Sequence, residues 1–230
     1  MIKVILWDVD GTLLAFKPAE KAAIKKCFEV FGLGECTDEM LGRYSVINKG
    51  YWEKLERKEI TKQEVLVNRF ADFFQSENIN TDCAVRFNEE YQKLLGETIC
   101  FCDNAYELMK SLKGRVKQYA VTNGTKAAQD RKLSKSGLID IFDEVFISEV
   151  VGIEKPDAGF FEHVWEKIGH YEKSEVMIVG DSLTSDMQGG NNAGIVCCWY
   201  NPNNEKNTAN LRIDYEIGDL QKIRDIVIER

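Results

Sequence analysis

From residue 104 to residue 229, patterns typical of helices alternate with short apolar runs typical of strands. Strands that a helix connects pair in parallel, because the helix carries the chain back to the starting end of the sheet. Parallel sheets are covered by helices on both faces. The alternation therefore predicts an α/β fold. Its predicted strands are Val116–Val121, Glu144–Ile147, Val176–Gly180, Ile195–Trp199 and Tyr215–Ile217.

One further predicted strand lies far upstream of the others. Val4–Trp7 is a short apolar run with the character of a buried strand. Residues 16–97 then contain four helical patterns and no convincing strand. We therefore predict that residues 1–15 and 98–230 form an α/β core and that residues 16–97 form an inserted four-helix domain.

Three of the inserted helices carry recognisable signals at their starts. Thr61 is followed three residues later by Glu64, which is the pattern of a capping box. Short polar residues that favour helix N-termini precede the second and the fourth helix. Thr37 or Asp38 is the candidate cap of the second helix, and Thr81 or Asp82 is predicted to open the fourth.

Two aspartates follow the first predicted strand at an interval of two residues. Asp8 and Asp10 lie on the same side of a regular strand, because side chains alternate along it. Two carboxylates this close repel each other, and an apolar core satisfies neither. A divalent cation would resolve the conflict, and so would a division of roles between a nucleophile and an acid. By themselves, a solvated turn or a calcium loop would also explain the pair.

Polar residues also follow the other predicted strands or precede the next helix. In an open parallel sheet, ligands bind beyond the carboxyl ends of the strands, so these residues are candidates for one common site. Taken singly, Thr122 would also serve as a helix cap, Lys155 as a surface lysine, and Asp181 as a helix-start residue. The set comprises Thr122, Asn123, Gly124, Lys155, Asp181 and Asp186.

Charge and composition exclude several functional classes. The chain has 30 basic and 38 acidic residues, so its net charge is 30 − 38 = −8, which argues against a dedicated binder of nucleic-acid polymers or anionic membranes. It contains no long apolar segment and no signal-peptide pattern. Its seven cysteines show no pairing or zinc-binding pattern. We therefore expect a cytoplasmic protein with reduced thiols.

The order of the strand-end motifs is specific to one superfamily. Asp8-Val-Asp10-Gly-Thr12, then Thr122, then Lys155-Pro156, and finally Gly180-Asp181-Ser182 with Asp186, resembles the haloacid dehalogenase-like (HAD) hydrolases. The resemblance extends over essentially the whole chain. It implies a Rossmann-like parallel sheet with helices on both faces and an inserted helical cap domain.

The resemblance implies four catalytic residues. Asp8 corresponds to the nucleophile that forms an aspartyl-phosphate, and Asp10 to the general acid and base. Thr122 corresponds to the residue that hydrogen-bonds the transferring phosphoryl group. Lys155 corresponds to the cation that balances the carboxylates. Because dehalogenases of the superfamily lack an acid two residues after the nucleophile, Asp10 favours phosphoryl transfer.

The resemblance also implies a Mg²⁺ site and a phosphate-binding turn. The predicted metal ligands are Asp8, the backbone carbonyl of Asp10, and Asp181, with Asp186 supporting the metal or orienting the lysine. Hard oxygen ligands favour Mg²⁺ over zinc or copper. Phosphate binding is expected at Thr122, Asn123, Gly124 and Lys155.

The substrate class is predicted more coarsely than the chemistry. The chain resembles the nucleotidase-like branch, so we expect a small phosphomonoester, in particular a nucleoside 5′-monophosphate. A phosphoglycolate or sugar-phosphate phosphatase, a phosphomutase, and a non-enzymatic ligand-binding protein are the alternatives, and the protein is expected to be a monomer or a homodimer. Basic and aromatic residues of the cap domain either contact the substrate or pack the domain's own core. They are Arg43, Tyr44, Asn48, Lys49, Tyr51 and Trp52.

Overall fold

A six-stranded sheet forms the centre of the larger part of the molecule. The computed structural model describes residues 1–228. All strand pairs are parallel, and the strand order is β3-β2-β1-β4-β5-β6. The predicted parallel sheet is therefore confirmed, with two strands beginning one residue later than predicted. The strands are β1 Val4–Trp7, β2 Lys117–Thr122, β3 Glu144–Ile147, β4 Val176–Gly180, β5 Val196–Tyr200 and β6 Tyr215–Ile217.

The first strand lies in the middle of the sheet. In β1, Trp7 pairs with Ala120 of β2 on one side and with Val179 of β4 on the other. The backbone N–H of Asp8 then donates to the carbonyl of Val179 at 2.9 Å. Residues that follow β1, β2 and β4 consequently emerge at one edge of the sheet, as the predicted common site requires.

Each face of the sheet is covered by its own apolar core. Side chains alternate along β1, so that Ile5 and Trp7 belong to one core and Val4 and Leu6 to the other. The first core includes residues of α5 and α10, and the second includes residues of α8. This confirms the predicted helices on both faces.

Ten α-helices lie within the described residues. Five of them fall in the long segment between β1 and β2, and five follow β2. They are α1 Phe16–Phe31, α2 Asp38–Glu56, α3 Lys62–Ser76, α4 Ala84–Leu95, α5 Ala105–Leu112, α6 Lys126–Ser136, α7 Ser148–Val151, α8 Ala158–Ile168, α9 Gln188–Ala193 and α10 Ile223–Ile228. Within residues 1–228, no helix has both the length and the apolar character needed to cross a membrane.

The chain divides into two compact units. The sheet unit comprises residues 1–16 and 99–230, and the helical unit comprises residues 17–98. The predicted boundaries differ from these by one residue at each end. The role of the helical unit as a cap domain remains a prediction.

The helical unit has an aromatic core of its own. Phe70 packs against Phe87 with ring centroids 4.9 Å apart and stacks on Tyr44 at 5.1 Å. The guanidinium of Arg69, which is buried, lies 4.9 Å from the Phe70 ring and donates to Asn48 and to Asn88. This unit therefore combines aromatic packing with a buried polar network.

The starts of these three helices follow the predictions. Thr37 caps α2, and Thr61 and Glu64 form the predicted capping box of α3. The fourth helical segment opens at Thr81, where a 3-10 turn over Thr81–Cys83 leads into α4. The side chain of Asn80 caps this turn by accepting from the N–H of Asp82.

One segment near the predicted site differs from a regular α-helix. The helical segment after β4 begins as a π-helical turn over Leu183–Met187, which Ser182 caps, before α9 continues it. The helix that follows Lys155 and Pro156 begins at Ala158, with Asp157 as its N-cap. π-helical turns are rare and concentrate at functional sites. The short helix α7, Ser148–Val151, was not predicted.

Candidate active site

Three carboxylates meet at the edge of the sheet where β1 and β4 end. Single oxygens of Asp8, Asp181 and Asp186 all lie within 4.8 Å of one another. Asp8 and Asp186 are buried, whereas Asp181 is exposed to solvent. A cluster of hard oxygen donors that is open on one side suits a divalent cation such as Mg²⁺.

Lys155 supplies the positive charge of this cluster. Its side chain is 1% exposed, and its ammonium group donates to Asp8 Oδ1 at 2.9 Å, to Asp186 Oδ1 at 2.6 Å and to the carbonyl of Val121 at 2.7 Å. An ammonium group has three donors, and all three are used. The buried charge is thus fully satisfied, which fixes the position of the nitrogen.

Burial shifts the acid–base properties of the pair at the centre of this cluster. Desolvation raises the pKa of Asp8 to about 7, although the positive charge of Lys155 acts in the opposite direction. Burial lowers the pKa of Lys155, but the carboxylates of Asp186 and Asp8 outweigh this and raise it above its usual range. Lys155 therefore stays charged. Its single positive charge does not balance the negative charge of the three carboxylates in the cluster.

Thr12 connects the ends of β1 and β4. Its hydroxyl donates to Asp8 Oδ2 at 3.0 Å and accepts from the backbone N–H of Asp181 at 3.1 Å. The indole N–H of Trp199 donates to the carbonyl of Asp181 at 2.9 Å. These contacts fix Asp181 against Asp8. We did not predict a role for Thr12, although its position inside the Asp-x-Asp-Gly-Thr motif was a usable signal.

The turn after β2 holds Lys155 through its main chain. The side-chain amide of Asn123 donates to the carbonyl of Lys155 at 2.8 Å and accepts from its N–H at 2.9 Å. The hydroxyl of Thr122 accepts from the N–H of Gly124 at 3.0 Å. The Asn123 amide is therefore engaged in placing the lysine, and phosphate binding by this turn remains a prediction.

Asp10 lies apart from the three-carboxylate cluster. Its carboxylate accepts from the amide of Gln129 at 2.6 Å and pairs with the ammonium of Lys132, both of which belong to α6. The predicted metal contact of Asp10 concerned its backbone carbonyl, so this contact remains a prediction. Neither Gln129 nor Lys132 was predicted as a site residue. Their spacing of three residues on the helix after β2 was the available signal.

Two glycines make room for the carboxylates. Gly180 lies so close to Asp186 that an added Cβ would be 2.3 Å from its Cγ. Gly11 has a φ of +99°, and a Cβ there would be 2.5 Å from Asp181 Oδ2. Both glycines are needed for close approach, and Gly11 is also needed for its backbone conformation.

We expect Gly11→Ala to lower activity by more than backbone strain at a positive φ would by itself. The new methyl group would displace the Asp181 carboxylate, so hydrolytic activity should fall by at least about tenfold, with a stability loss of about 1–3 kcal/mol. Gly114→Ala is the matched control, because Gly114 has a φ of +79° and no atom within 4 Å of an added Cβ. Activity assays and urea unfolding of both variants check this. Equal activities of the two variants would contradict it.

The sequence matches a known protein family. A sequence model of the haloacid dehalogenase-like hydrolases matches residues 2–194. The chain belongs to this family. The predicted membership and the predicted hydrolase class are thereby confirmed.

Individual relatives of this HAD-like hydrolase cover nearly its full length. It is 34% identical to the HAD-hydrolase YfnB of Bacillus subtilis over 98% of the chain and 95% of the relative. It is 37% identical to the pyrimidine 5′-nucleotidase PynA of Streptococcus pneumoniae over 97% of the chain and 94% of the relative. It is 28% identical to the pyrimidine 5′-nucleotidase YjjG of Escherichia coli over 97% and 96%.

A solved structure resembles this hydrolase over both units. The crystal structure of YfnB, described as bound to magnesium, matches with a TM-score of 0.92 at 33% identity and covers 99% of both chains. The predicted fold class is confirmed by this match. Together, the family and its phosphatase relatives support a phosphoric monoester hydrolase that acts on small phosphate esters.

Proposed function

We propose that this protein is a Mg²⁺-dependent phosphatase that hydrolyses nucleoside 5′-monophosphates through an aspartyl-phosphate on Asp8. The observation that carries the proposal is the buried contact between Asp8 and Lys155 beside the solvent-exposed Asp181. Asp8, the proposed nucleophile, thus lies next to a fixed positive charge at a site that suits a cation, which supports the proposal. The names of PynA and YjjG support the choice of nucleotides.

The proposed reaction begins with attack of an Asp8 carboxylate oxygen on phosphorus. The bond between phosphorus and the ester oxygen breaks, and Asp10 gives its proton to the departing alcohol. Water then attacks the aspartyl-phosphate and transfers a proton to Asp10, which releases phosphate and restores both carboxyl groups. Thr122 is proposed to hydrogen-bond the phosphoryl oxygens, and Lys155 to stabilise their charge.

Mg²⁺ fits the carboxylate cluster. Asp8 and Asp181 would hold the ion together with the backbone carbonyl of Asp10, and the bound ion supplies positive charge that offsets the phosphate dianion. Asp186 is proposed to act through Lys155, to which it is hydrogen-bonded at 2.6 Å. Its other oxygen accepts from the N–H of Ser182 at 3.2 Å.

Residues 16–97 are proposed as the cap domain that selects the substrate. Several of the side chains considered for this role already have partners inside the helical unit. Arg43 pairs with Glu77, and the Tyr51 hydroxyl donates to Asp72 at 2.6 Å. These contacts favour a structural role for Arg43 and Tyr51.

We also propose that the protein is cytoplasmic and that it is a monomer or a homodimer.

Phosphate release across a substrate panel tests this function. The panel holds pyrimidine and purine nucleoside 5′-monophosphates, phosphoglycolate and sugar phosphates, each assayed with Mg²⁺ and after EDTA treatment. We expect the nucleotides to be hydrolysed best, and EDTA to suppress turnover until Mg²⁺ is restored.

The alternatives give different results in the same panel. Preference for a sugar phosphate would favour the other candidate, since a glyceraldehyde 3-phosphate phosphatase of Methanopyrus kandleri is 28% identical over the full chain. Formation of an isomeric sugar phosphate without release of free phosphate would indicate a mutase. Full activity in EDTA would contradict the proposed metal site. Absence of phosphate release from every substrate of the panel would contradict the proposed function.

A further inference from the structure

The carboxylate of Asp10 is held by two side chains of α6. Lys132 pairs with Oδ1, and the amide of Gln129 donates to Oδ2 at 2.6 Å. Each carboxylate oxygen therefore has one donor from the same helix. Because an oxygen of a carboxylate accepts up to two hydrogen bonds, each oxygen keeps one acceptor position. The orientation of the carboxylate is thus set without using its full capacity.

Lys132 is buried to an extent that is unusual for its residue type. Its side chain is 2% exposed, and its ammonium lies over the ring of Phe16 at 5.3 Å from the centroid. Burial of an ammonium group costs free energy unless the group is paired. The Asp10 carboxylate provides that pairing. The buried charge of Lys132 therefore contacts Asp10, whose carboxylate lies outside the three-carboxylate cluster.

Gln129 also holds Asp10, but one of its own polar atoms is left without a hydrogen bond among the described residues. The amide NH₂ group donates to Asp10, while among the described residues its Oε1 atom has no hydrogen-bond partner. The same amide packs under Gly124, where an added Cβ would be 2.2 Å from Nε2. An unsatisfied buried acceptor costs about 1–3 kcal/mol. The contact with Asp10 thus determines which way the amide points.

The position of α6 follows from the end of β2. Thr125 caps the helix directly after the Thr122 turn, so the first turn of α6 starts beside the site. Gln129 and Lys132 are three residues apart and lie on its buried face. The two donors therefore reach Asp10 from a rigid helix, which restricts their motion more than a loop would.

We propose that Lys132 and Gln129 are positioning residues that hold the Asp10 carboxyl group in the orientation required for proton transfer to the leaving alcohol. The inference rests on the proposed function. In the step concerned, the Asp8–phosphorus bond forms, the bond from phosphorus to the ester oxygen breaks, and the Asp10 proton moves to that oxygen. Lys132 and Gln129 keep their own protons throughout.

Leaving-group dependence tests this role. An alkyl phosphate needs a proton on its leaving oxygen, whereas p-nitrophenyl phosphate has a leaving group that departs without one. The value of kcat/KM reports the steps up to release of the alcohol. We expect Lys132→Met and Gln129→Met to lower kcat/KM for the best alkyl ester by about 10- to 100-fold. For p-nitrophenyl phosphate, we expect a change of less than about threefold.

Controls separate this inference from the function on which it rests. Lys135→Met removes an exposed lysine of the same helix and should change neither substrate. Asp10→Asn should show the same leaving-group dependence as Lys132→Met, but more strongly. Equal losses on both substrates in the Lys132 and Gln129 variants, with Asp10→Asn selective, would overturn the positioning role alone. A wild-type protein inactive on every ester would overturn the proposed function and this inference with it.

Discussion

Asp8→Asn is expected to abolish phosphate release, with kcat lower by at least about 10⁴-fold. The amide cannot act as the nucleophile, and no other carboxylate of the motif takes its place next to Lys155. Asp186 contacts the same ammonium but is 1% exposed, with its second oxygen bound by the N–H of Ser182. Steady-state kinetics and mass spectrometry for a phosphorylated intermediate check this prediction.

The fold should survive this substitution. Asn fills the same volume as Asp, and Lys155 keeps its contacts with Asp186 and the carbonyl of Val121. Asp143→Asn is the matched control. It removes an aspartate–lysine pair at the opposite edge of the sheet, where Asp143 contacts Lys117 at 2.6 Å. Turnover by Asp8→Asn comparable to that of the control would rule out Asp8 as the nucleophile.

Lys155→Met is expected to reduce both stability and activity. It leaves Asp8 and Asp186 buried without their shared cation, and removal of one partner from a buried ion pair costs about 3–5 kcal/mol. Phosphate release should fall by at least about 10³-fold, because the positive charge next to the nucleophile is lost. Urea unfolding and steady-state assays measure the two effects.

A double variant distinguishes the structural contribution of the lysine from the catalytic one. Lys155→Met with Asp186→Asn removes one of the two repelling carboxylates, so it should recover part of the lost stability and none of the activity. Lys117→Met is the control, since its exposed pair with Asp143 contributes about 0–1 kcal/mol. A Lys155 variant as stable and as active as this control would contradict the assignment.

The strands at the site were predictable because their sequence signals are local. β1, β3, β4 and β6 begin and end at the predicted residues, because short strand-like runs between helical patterns are typical of a parallel α/β sheet. Strand ends of a parallel sheet share one edge. The meeting of Asp8 with Asp181 therefore followed from the strand pattern.

Helix details were less predictable because they depend on neighbours. The Thr61 capping box involves residues three positions apart, and the sequence showed it directly. The π-helical turn over Leu183–Met187 could not be predicted in this way. It brings Asp186 against Lys155, which is 31 residues away along the chain.

The amino-acid sequence by itself determined the order of the strands, the family and the carboxylates at the strand ends, because periodicity and motif spacing are properties of the chain. Only the tertiary structure decided the partners of those carboxylates. Asn123 contacts the main chain of Lys155 across 32 residues, and Lys132 reaches Asp10 across 122. Such contacts depend on how helices pack on the sheet, so no local pattern of residues specifies them.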